Sequence, residues 1–144
     1  MTIGRICQRE VDVADSGESI VDAAKRMDEK SVGTLVVLDK KKRPIGVMTD
    51  RDIAMRVVAQ GRTPKKTTVE DVMTRHPRSV TEGTPIEDTL ATMRTLGIRR
   101  LLVVDNDERL AGIVSMDDVL GLIMEEFRSM HGILQKSSPS GALV

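Results

Sequence analysis

The order of apolar and polar positions predicts a small unit of alternating strands and helices. Apolar residues recur at helical spacing over residues 20–27, and Ser19, just before them, is a favourable helix start. Two runs rich in β-branched and aliphatic residues, 35–38 and 45–48, predict strands joined by a polar turn. An extended piece at 11–14 precedes the helix, and a second helix is expected after the last strand. The predicted order is therefore β-α-β-β-α.

This pattern occurs twice along the chain. A shift of 66 positions superimposes three successive blocks without a gap, which indicates a duplicated structural unit. The matching blocks are 20–27 with 86–93, 35–39 with 101–105, and 46–53 with 112–119, and upstream Ile6 falls on Val72 and Arg9 on Arg75.

The second copy is predicted to fold like the first. It has an extended piece at 79–80, a helix at 86–93 that starts at Thr84 and Pro85, and strands at 101–104 and 111–114. The closing helix of each copy is expected to turn its apolar residues inward: Ile53 and Val57 in the first copy, and Val119, Ile123 and Phe127 in the second.

These units predict the domain organisation. The first repeat covers 3–58, a linker covers 59–68, the second repeat covers 69–130, and a tail rich in Ser and Gly, 131–144, is expected to be flexible. One repeat is too short to bury much apolar surface. Two repeats packed about a pseudo-two-fold axis would bury both sheets and form two related clefts, which are natural ligand sites. The expected fold class is α+β, with tandem β-α-β-β-α repeats.

Composition narrows the classes of function. Basic and acidic residues each number 22, so no net charge favours nucleic acid or a membrane surface. Phe127 is the only residue among Phe, Trp and Tyr, which removes the stacking platforms of single-strand binders. The single cysteine, Cys7, excludes an internal disulfide, and His76 and His131 lack a second ligand at metal-binding spacing. We expect a cytoplasmic protein with no metal, no cofactor and no membrane segment.

A short motif, Gly-x-x-(Ser/Thr)-x-x-Asp, follows the last strand of each repeat. The glycine would let backbone approach a ligand, the hydroxyl could reach a phosphate or sugar oxygen, and the carboxylate could accept bonds from ribose hydroxyls. Arg51, Arg99 and Arg100 are candidate phosphate donors nearby. A structural alternative stays open, in which the hydroxyls cap helices and the arginine pair is exposed edge charge. The motif residues are Gly46, Thr49 and Asp52, then Gly112, Ser115 and Asp118.

The repeated motifs resemble the CBS domain pair, also called a Bateman module. The resemblance rests on 31–39 with 46–53 and on 97–105 with 112–119, and the segment 71–74, Asp-Val-Met-Thr, is similar to the family's usual repeat opening. It implies that AMP, ADP or ATP binds between the repeats, or in some members S-adenosylmethionine or a dinucleotide. By position, it implies a ribose contact for Asp52 and Asp118, ribose or phosphate for Thr49 and Ser115, phosphate for Arg99 and Arg100, and adenine for Val32 and Ile98.

The resemblance also implies that the two sites differ. Gly33 and Thr34 stand where the second repeat has an arginine pair, so the site with Ser115 and Asp118 is expected to be the stronger one. The full candidate nucleotide-binding set is Val32, Thr34, Thr49, Arg51, Asp52, Ile98, Arg99, Arg100, Ser115 and Asp118.

The expected function is a regulatory module that senses an adenosine nucleotide and signals to an effector protein. An enzyme is not expected, because the sequence offers neither a nucleophile–base pair nor a Walker-type phosphate loop. The resemblance implies a homodimer formed through helices, with Met55, Val58 and 122–127 as candidates for the shared face. The alternative is a structural or adaptor homodimer that binds no small molecule.

Overall fold

The computed structural model describes residues 1–137, and its elements follow the predicted order. A 3-10 turn at Ile3–Arg5 opens the chain. The first repeat contains β1 (Val13–Asp15), α1 (Ile20–Lys30), β2 (Thr34–Leu38), β3 (Pro44–Thr49) and α2 (Asp50–Ile53), which continues as a π-helical turn, Ala54–Val58. A 3-10 turn (Pro64–Lys66), α3 (Val69–Val72) and β4 (Thr74–Arg75) lead to the second repeat. That repeat contains β5 (Ser79–Thr81), α4 (Ile86–Leu96), β6 (Arg100–Val104), β7 (Leu110–Ser115) and α5 (Met116–Lys136).

Two small sheets organise these elements, which confirms the α+β class. In the order β1-β2-β3-β4, the first pair is parallel and the other two are antiparallel. In the order β5-β6-β7, the first pair is parallel and the second antiparallel. Gln8 forms a bridge to Ile113 at the position where β4 pairs with β3, so the two sheets have the same plan.

The residues at the helix starts confirm one capping prediction and contradict another. Ser19 caps α1 as predicted, because its hydroxyl accepts a bond from the N–H of Asp22 at 3.1 Å. The predicted start at Thr84 is wrong: Pro85 holds the cap position, and the Thr84 hydroxyl accepts from the N–H of Thr81 instead. Proline is tolerated there since no hydrogen bond is required of its nitrogen at a helix start.

Each repeat has an aliphatic core, and each core includes residues that belong in sequence to the other repeat. Ile3 is fully buried in the core of the second repeat, beside Val103 and Val114. In the same way Val69 and Val72 are buried in the core of the first repeat. The opening segments 3–9 and 69–75 are therefore exchanged: each belongs in sequence to one repeat and packs in space on the other.

The last helix is longer and more exposed than predicted. It runs to Lys136, so the part of the expected flexible tail at 131–136 is helical, while 138–144 lies outside the described residues. Val119 is buried as predicted, but Ile123 and Phe127 are 52% and 67% exposed, so the prediction that they face inward is wrong. The helical spacing of their apolar side chains fits an exposed face as well as a core.

Candidate functional site

Two clefts lie between the repeats. The first, which we call the basic cleft, has a volume of about 430 Å³ and is lined by Thr34, Val47, Thr49, Thr74, His76, Pro77, Arg78, Ile98, Arg100, Leu101, Leu102 and Ile113. The second, the acidic cleft, has about 550 Å³ and is lined by Gln8, Glu10, Val11, Asp12, Val32, Gly33, Thr34, Val36, Thr49, Asp50, Arg51, Arg100 and Ile113. Both volumes lie in the range of small-molecule sites.

The clefts are related by the repeat symmetry, as the sequence predicted. The shift of 66 positions carries the acidic-cleft segment 10–12 onto 76–78 of the basic cleft, and Val32 onto Ile98. Thr34 and Arg100, which are equivalent positions, line both clefts. Thr34 pairs with Thr49 on adjacent strands, and Arg100 pairs with Ser115 in the same register. The two strand ends therefore meet at the pseudo-two-fold axis.

Charge separates the two clefts. Among residues 1–137, those lining the basic cleft include Arg78, Arg100 and His76 and no carboxylate. The acidic cleft places three carboxylates (Glu10, Asp12 and Asp50) against two arginines (Arg51 and Arg100). An anion is therefore attracted more strongly by the basic cleft.

His76 adds a local conformational feature to the basic cleft. Its φ is 55°, in the left-handed region that residues other than glycine rarely adopt, and it directly precedes Pro77. Such conformations persist where the surrounding structure imposes them and are frequent at ligand sites.

In the first repeat, the motif residues form a capping box at the start of α2. The N–H of Asp52 donates to the Thr49 hydroxyl at 3.1 Å, and the N–H of Thr49 donates to an Asp52 carboxylate oxygen at 2.9 Å. The other carboxylate oxygen lies 3.6 Å from the guanidinium of Arg56. The structural role that the sequence left open is thus present, and both polar side chains are engaged in it.

The second repeat has the same capping box with one further partner. Asp118 Oδ2 accepts from the Ser115 N–H at 2.8 Å and from the Ser115 hydroxyl at 2.9 Å. Asp118 Oδ1 accepts from the side-chain amide of Gln8 at 2.9 Å. Gln8 belongs to the opening segment exchanged from the first repeat, so the carboxylate connects two distant parts of the sequence.

The motif glycines pack against the exchanged segments. A Cβ on Gly112 would lie 2.7 Å from the carbonyl oxygen of Gln8 and 2.9 Å from Cys7 Sγ, and one on Gly46 would contact the sulfur of Met73. The close packing of a neighbouring chain segment is thus a structural reason for glycine at both positions, and the predicted approach of a ligand to them stays a prediction.

The segment over Gly112 is held firmly. Arg9 donates to Glu82 at 2.6 Å, and this hydrogen bond raises the pKa of the guanidinium. Burial raises the pKa of the Cys7 thiol, which favours its neutral form. These properties suit a packing role for Cys7.

The clefts bring together part of the candidate set. The basic cleft contains Ile98, Arg100, Thr34 and Thr49, and the acidic cleft contains Val32, Thr34, Thr49, Arg51 and Arg100. Asp52, Arg99, Ser115 and Asp118 are not among the residues that line either cleft in the described part of the chain. Arg99 instead pairs with Asp117 at 3.3 Å on the surface.

Sequence reasoning missed the segments that lead into the first strand of each repeat. Residues 76–78 and their equivalents 10–12 line the clefts, yet they carry no motif of regular polar spacing. The repeat shift pairs these segments with each other, and that equivalence was the available signal.

Neither a metal-binding cluster nor a membrane-spanning helix is found among the described residues. Within 1–137, no three His, Cys, Asp or Glu side chains are grouped so as to hold a metal ion. None of the helices described combines the length and apolar character that crossing a membrane requires.

Comparison with known proteins identifies the family. The CBS domain model matches residues 3–59 and again 69–125. Uncharacterized protein MK0525 of Methanopyrus kandleri is 34% identical over 120 residues, 83% of this chain, which spans only 61% of that relative. The CBS domain pair of protein MJ0100, solved with 5′-methylthioadenosine and S-adenosyl-L-methionine, is 28% identical with a TM-score of 0.72, covering 88% of this chain and 98% of that one. CBSX2, solved in complex with AMP, is 28% identical with a TM-score of 0.71, covering 86% and 96%. The chain belongs to the CBS domain family and carries two CBS domains in tandem.

Proposed function

We propose that this CBS pair binds an adenosine nucleotide in the basic cleft and signals its presence to a partner protein. The observation that carries the proposal is the charge of that cleft, in which Arg78 and Arg100 lie without a carboxylate in the described lining. Arginine is well suited to phosphate because its planar group can donate two parallel hydrogen bonds. The adenosine ligands of MJ0100 and CBSX2 support the ligand class.

The rest of the basic cleft suits a nucleoside. Ile98, Leu102 and Ile113 offer apolar surface for the base, while Thr34 and Thr49 offer hydroxyls for the sugar or phosphate. Asp118 does not line this cleft among the described residues; its carboxylate contacts Gln8 of the acidic cleft, so a ribose contact by Asp118 would belong to a ligand in that cleft. A ligand that bridges both repeats can alter their relative position, provided that it binds one arrangement more tightly than the other.

The acidic cleft favours a ligand that carries positive charge. Its carboxylates, Glu10, Asp12 and Asp50, would attract the sulfonium and ammonium groups of S-adenosylmethionine better than a phosphate. This ligand is therefore the natural probe of the acidic cleft, and AMP that of the basic cleft.

Calorimetry with purified protein tests the proposal. We expect AMP to bind at least tenfold more tightly than adenosine, about 1.4 kcal/mol, because only AMP offers a phosphate to the arginines. Raising the salt concentration should remove much of this difference. No binding and no thermal stabilisation by millimolar AMP, ADP or ATP would refute nucleotide sensing and leave the adaptor alternative.

A homodimer is favoured by the exposed apolar face of α5. Large apolar residues recur at alternating spacings of three and four, and each is about half to three-quarters exposed. Their burial, at roughly 60–100 Å² a side chain, together with Met55 and Val58, would supply much of the ~520 Å² of apolar surface that a standard homodimer buries on each partner. These residues are Leu120, Ile123, Phe127, Met130 and Leu134.

Replacing Phe127 with glutamate is expected to convert the dimer into a monomer. Phe127 is at the centre of the apolar face, and a buried charge there would lack a partner. Ser129→Glu is the matched control, since it adds the same charge on the same helix away from that face. Sedimentation at micromolar concentration measures the change, and a wild-type monomer would contradict the dimer.

A further inference from the structure

The two clefts carry opposite charges at one pair of equivalent positions. The shift of 66 positions places Asp12, which lines the acidic cleft, on Arg78, which lines the basic cleft. We propose that this pair selects the ligand of each cleft by charge: Arg78 admits the phosphate of a nucleotide, whereas Asp12 excludes phosphate and admits a cationic adenosine compound. The chain then holds two different adenosine ligands at the same time. This inference rests on the proposed function, because it assumes that adenosine ligands enter these clefts.

The backbone holds the two side chains at equivalent places. The carbonyl of Asp12 accepts from the N–H of Val36 at 3.0 Å, and the carbonyl of Arg78 accepts from the N–H of Leu102 at 3.2 Å. Val36 and Leu102 are themselves related by the shift of 66 positions. Each residue is therefore fixed directly before the edge strand of its sheet, β1 or β5, and what differs between them is the sign of the side-chain charge.

Neither charge is neutralised by an opposite charge of the protein. Among residues 1–137, the ion pairs involve neither the carboxylate of Asp12 nor the guanidinium of Arg78. By contrast, Arg99 pairs with Asp117 on the surface at 3.3 Å. An unpaired charge in the wall of a cleft acts on whatever ligand enters, because the walls exclude much of the water that would screen it.

Arg100 alone cannot separate the two kinds of ligand. It lines both clefts, so it attracts a phosphate into either one. Among the described lining residues, Asp12 and Arg78 are the equivalent pair that places a carboxylate in one cleft and a guanidinium in the other. Replacing one by the other reverses a full charge at a fixed position, and we expect this to change the affinity for a charged ligand about tenfold.

Two further equivalent positions favour the same assignment. Glu10 of the acidic cleft falls on His76 of the basic cleft, and Asp50 falls on Met116, which packs against the second core. The acidic cleft thus has a carboxylate at two more positions where the second repeat has none. Arg51, which also lines the acidic cleft, offsets part of this negative charge.

Reversal of the two charges tests the proposal. Calorimetry on the full wild-type chain should show AMP and S-adenosylmethionine bound at the same time, each at a site of its own. We expect Asp12→Arg to create a second AMP site and to weaken S-adenosylmethionine about tenfold, and Arg78→Asp to weaken AMP about tenfold. Adenosine, which carries no charge, should bind all of these variants with nearly the same affinity. Asp12→Asn, which removes the charge without enlarging the side chain, should give the same changes as Asp12→Arg to a smaller degree.

The helices provide a matched control. Asp28 in α1 falls on Arg94 in α4 under the same shift, and neither residue lines a cleft in the described part of the chain. Asp28→Arg and Arg94→Asp therefore change the net charge of the chain by the same amounts, away from the clefts. We expect them to change the affinity for AMP and S-adenosylmethionine less than about twofold, since salt screens distant charges. Thermal unfolding checks that each variant is folded.

Three results would overturn the selection by charge. The first is a wild-type chain that binds AMP but no S-adenosylmethionine, or an Asp12→Arg variant that leaves both ligands unaffected. The second is an equal effect of Asp28→Arg, which would mean that only the net charge of the chain matters. The third is an equal change in adenosine affinity, which would mean that the shape of the cleft was altered. A wild-type chain that binds neither AMP nor adenosine would refute the proposed function itself, and the selection by charge would fail with it.

Discussion

Substituting Gly112 with alanine is expected to lower the free energy of unfolding by about 1–3 kcal/mol, the usual cost of overpacking a tight site. The added Cβ would meet the carbonyl oxygen of Gln8 at 2.7 Å, and a backbone atom cannot move aside without displacing its segment. That displacement would break the paired bonds between Gln8 and Ile113 and uncover Ile3 in the second core.

Two other glycines serve as controls for this prediction. At Gly46 the nearest atoms belong to the buried side chain of Met73, which can adapt its conformation more readily than backbone can, so Gly46→Ala should cost less than Gly112→Ala. Gly121 lies in α5, and a methyl group added there would have nothing within 4 Å, so Gly121→Ala should stabilise the protein through helix propensity. Denaturant titration of the three variants gives the comparison. A Gly112→Ala cost as small as that of Gly46→Ala, with both below about 1 kcal/mol, would show that segment 3–9 moves aside easily and would contradict the prediction.

The substitution Arg100→Ala, which removes the guanidinium, is expected to weaken AMP binding by ten- to a hundredfold, or about 1.4–2.8 kcal/mol. Arg100 lines both clefts at the strand ends where the repeats meet, and it is one of two arginines in the basic cleft. Its loss therefore affects every anionic ligand held between the repeats. Affinity for adenosine, which carries no phosphate, should change little.

The neighbouring Arg99 gives a matched control for Arg100. It has the same side chain and adjoins the same strand, but it pairs with Asp117 on the surface and does not line either cleft in the described part of the chain. We expect Arg99→Ala to change AMP affinity less than threefold, or about 0.6 kcal/mol, as for an exposed ion pair. Calorimetry with AMP and adenosine separates the two variants. A larger loss for Arg99→Ala would place the phosphate outside the basic cleft.

Local pattern was enough to predict the β-α-β-β-α order of each repeat, but not the short elements of the opening segments, α3 and β4. The helical spacing of Ile20 and Met27, and the aliphatic runs of both sheets, express periodicities that each element imposes on its own sequence. The repeat shift then predicted two related clefts, because equivalent surfaces must meet at a pseudo-two-fold axis.

The sequence pattern could not predict which part of the chain a given segment packs against. The repeat match places Ile6 on Val72 but contains no information about which core each segment enters. The motif spacing predicted Ser115 beside Asp118 correctly, whereas Gln8 approaches from the other end of the chain. Phe127 has the same periodicity as a core residue, and only the packed structure places it at the surface.

The exchanged opening segments have a consequence for folding. Cutting the chain between the sequence repeats would take Val69 and Val72 from one core and Ile3 from the other. Neither half would keep a complete interior, so we expect an isolated repeat to be much less stable than the pair. Detaching either opening segment from the other repeat would expose the apolar residues of that segment and those of the core that it covers. The two halves are therefore bound into a single cooperative folding unit, despite their origin as a duplication.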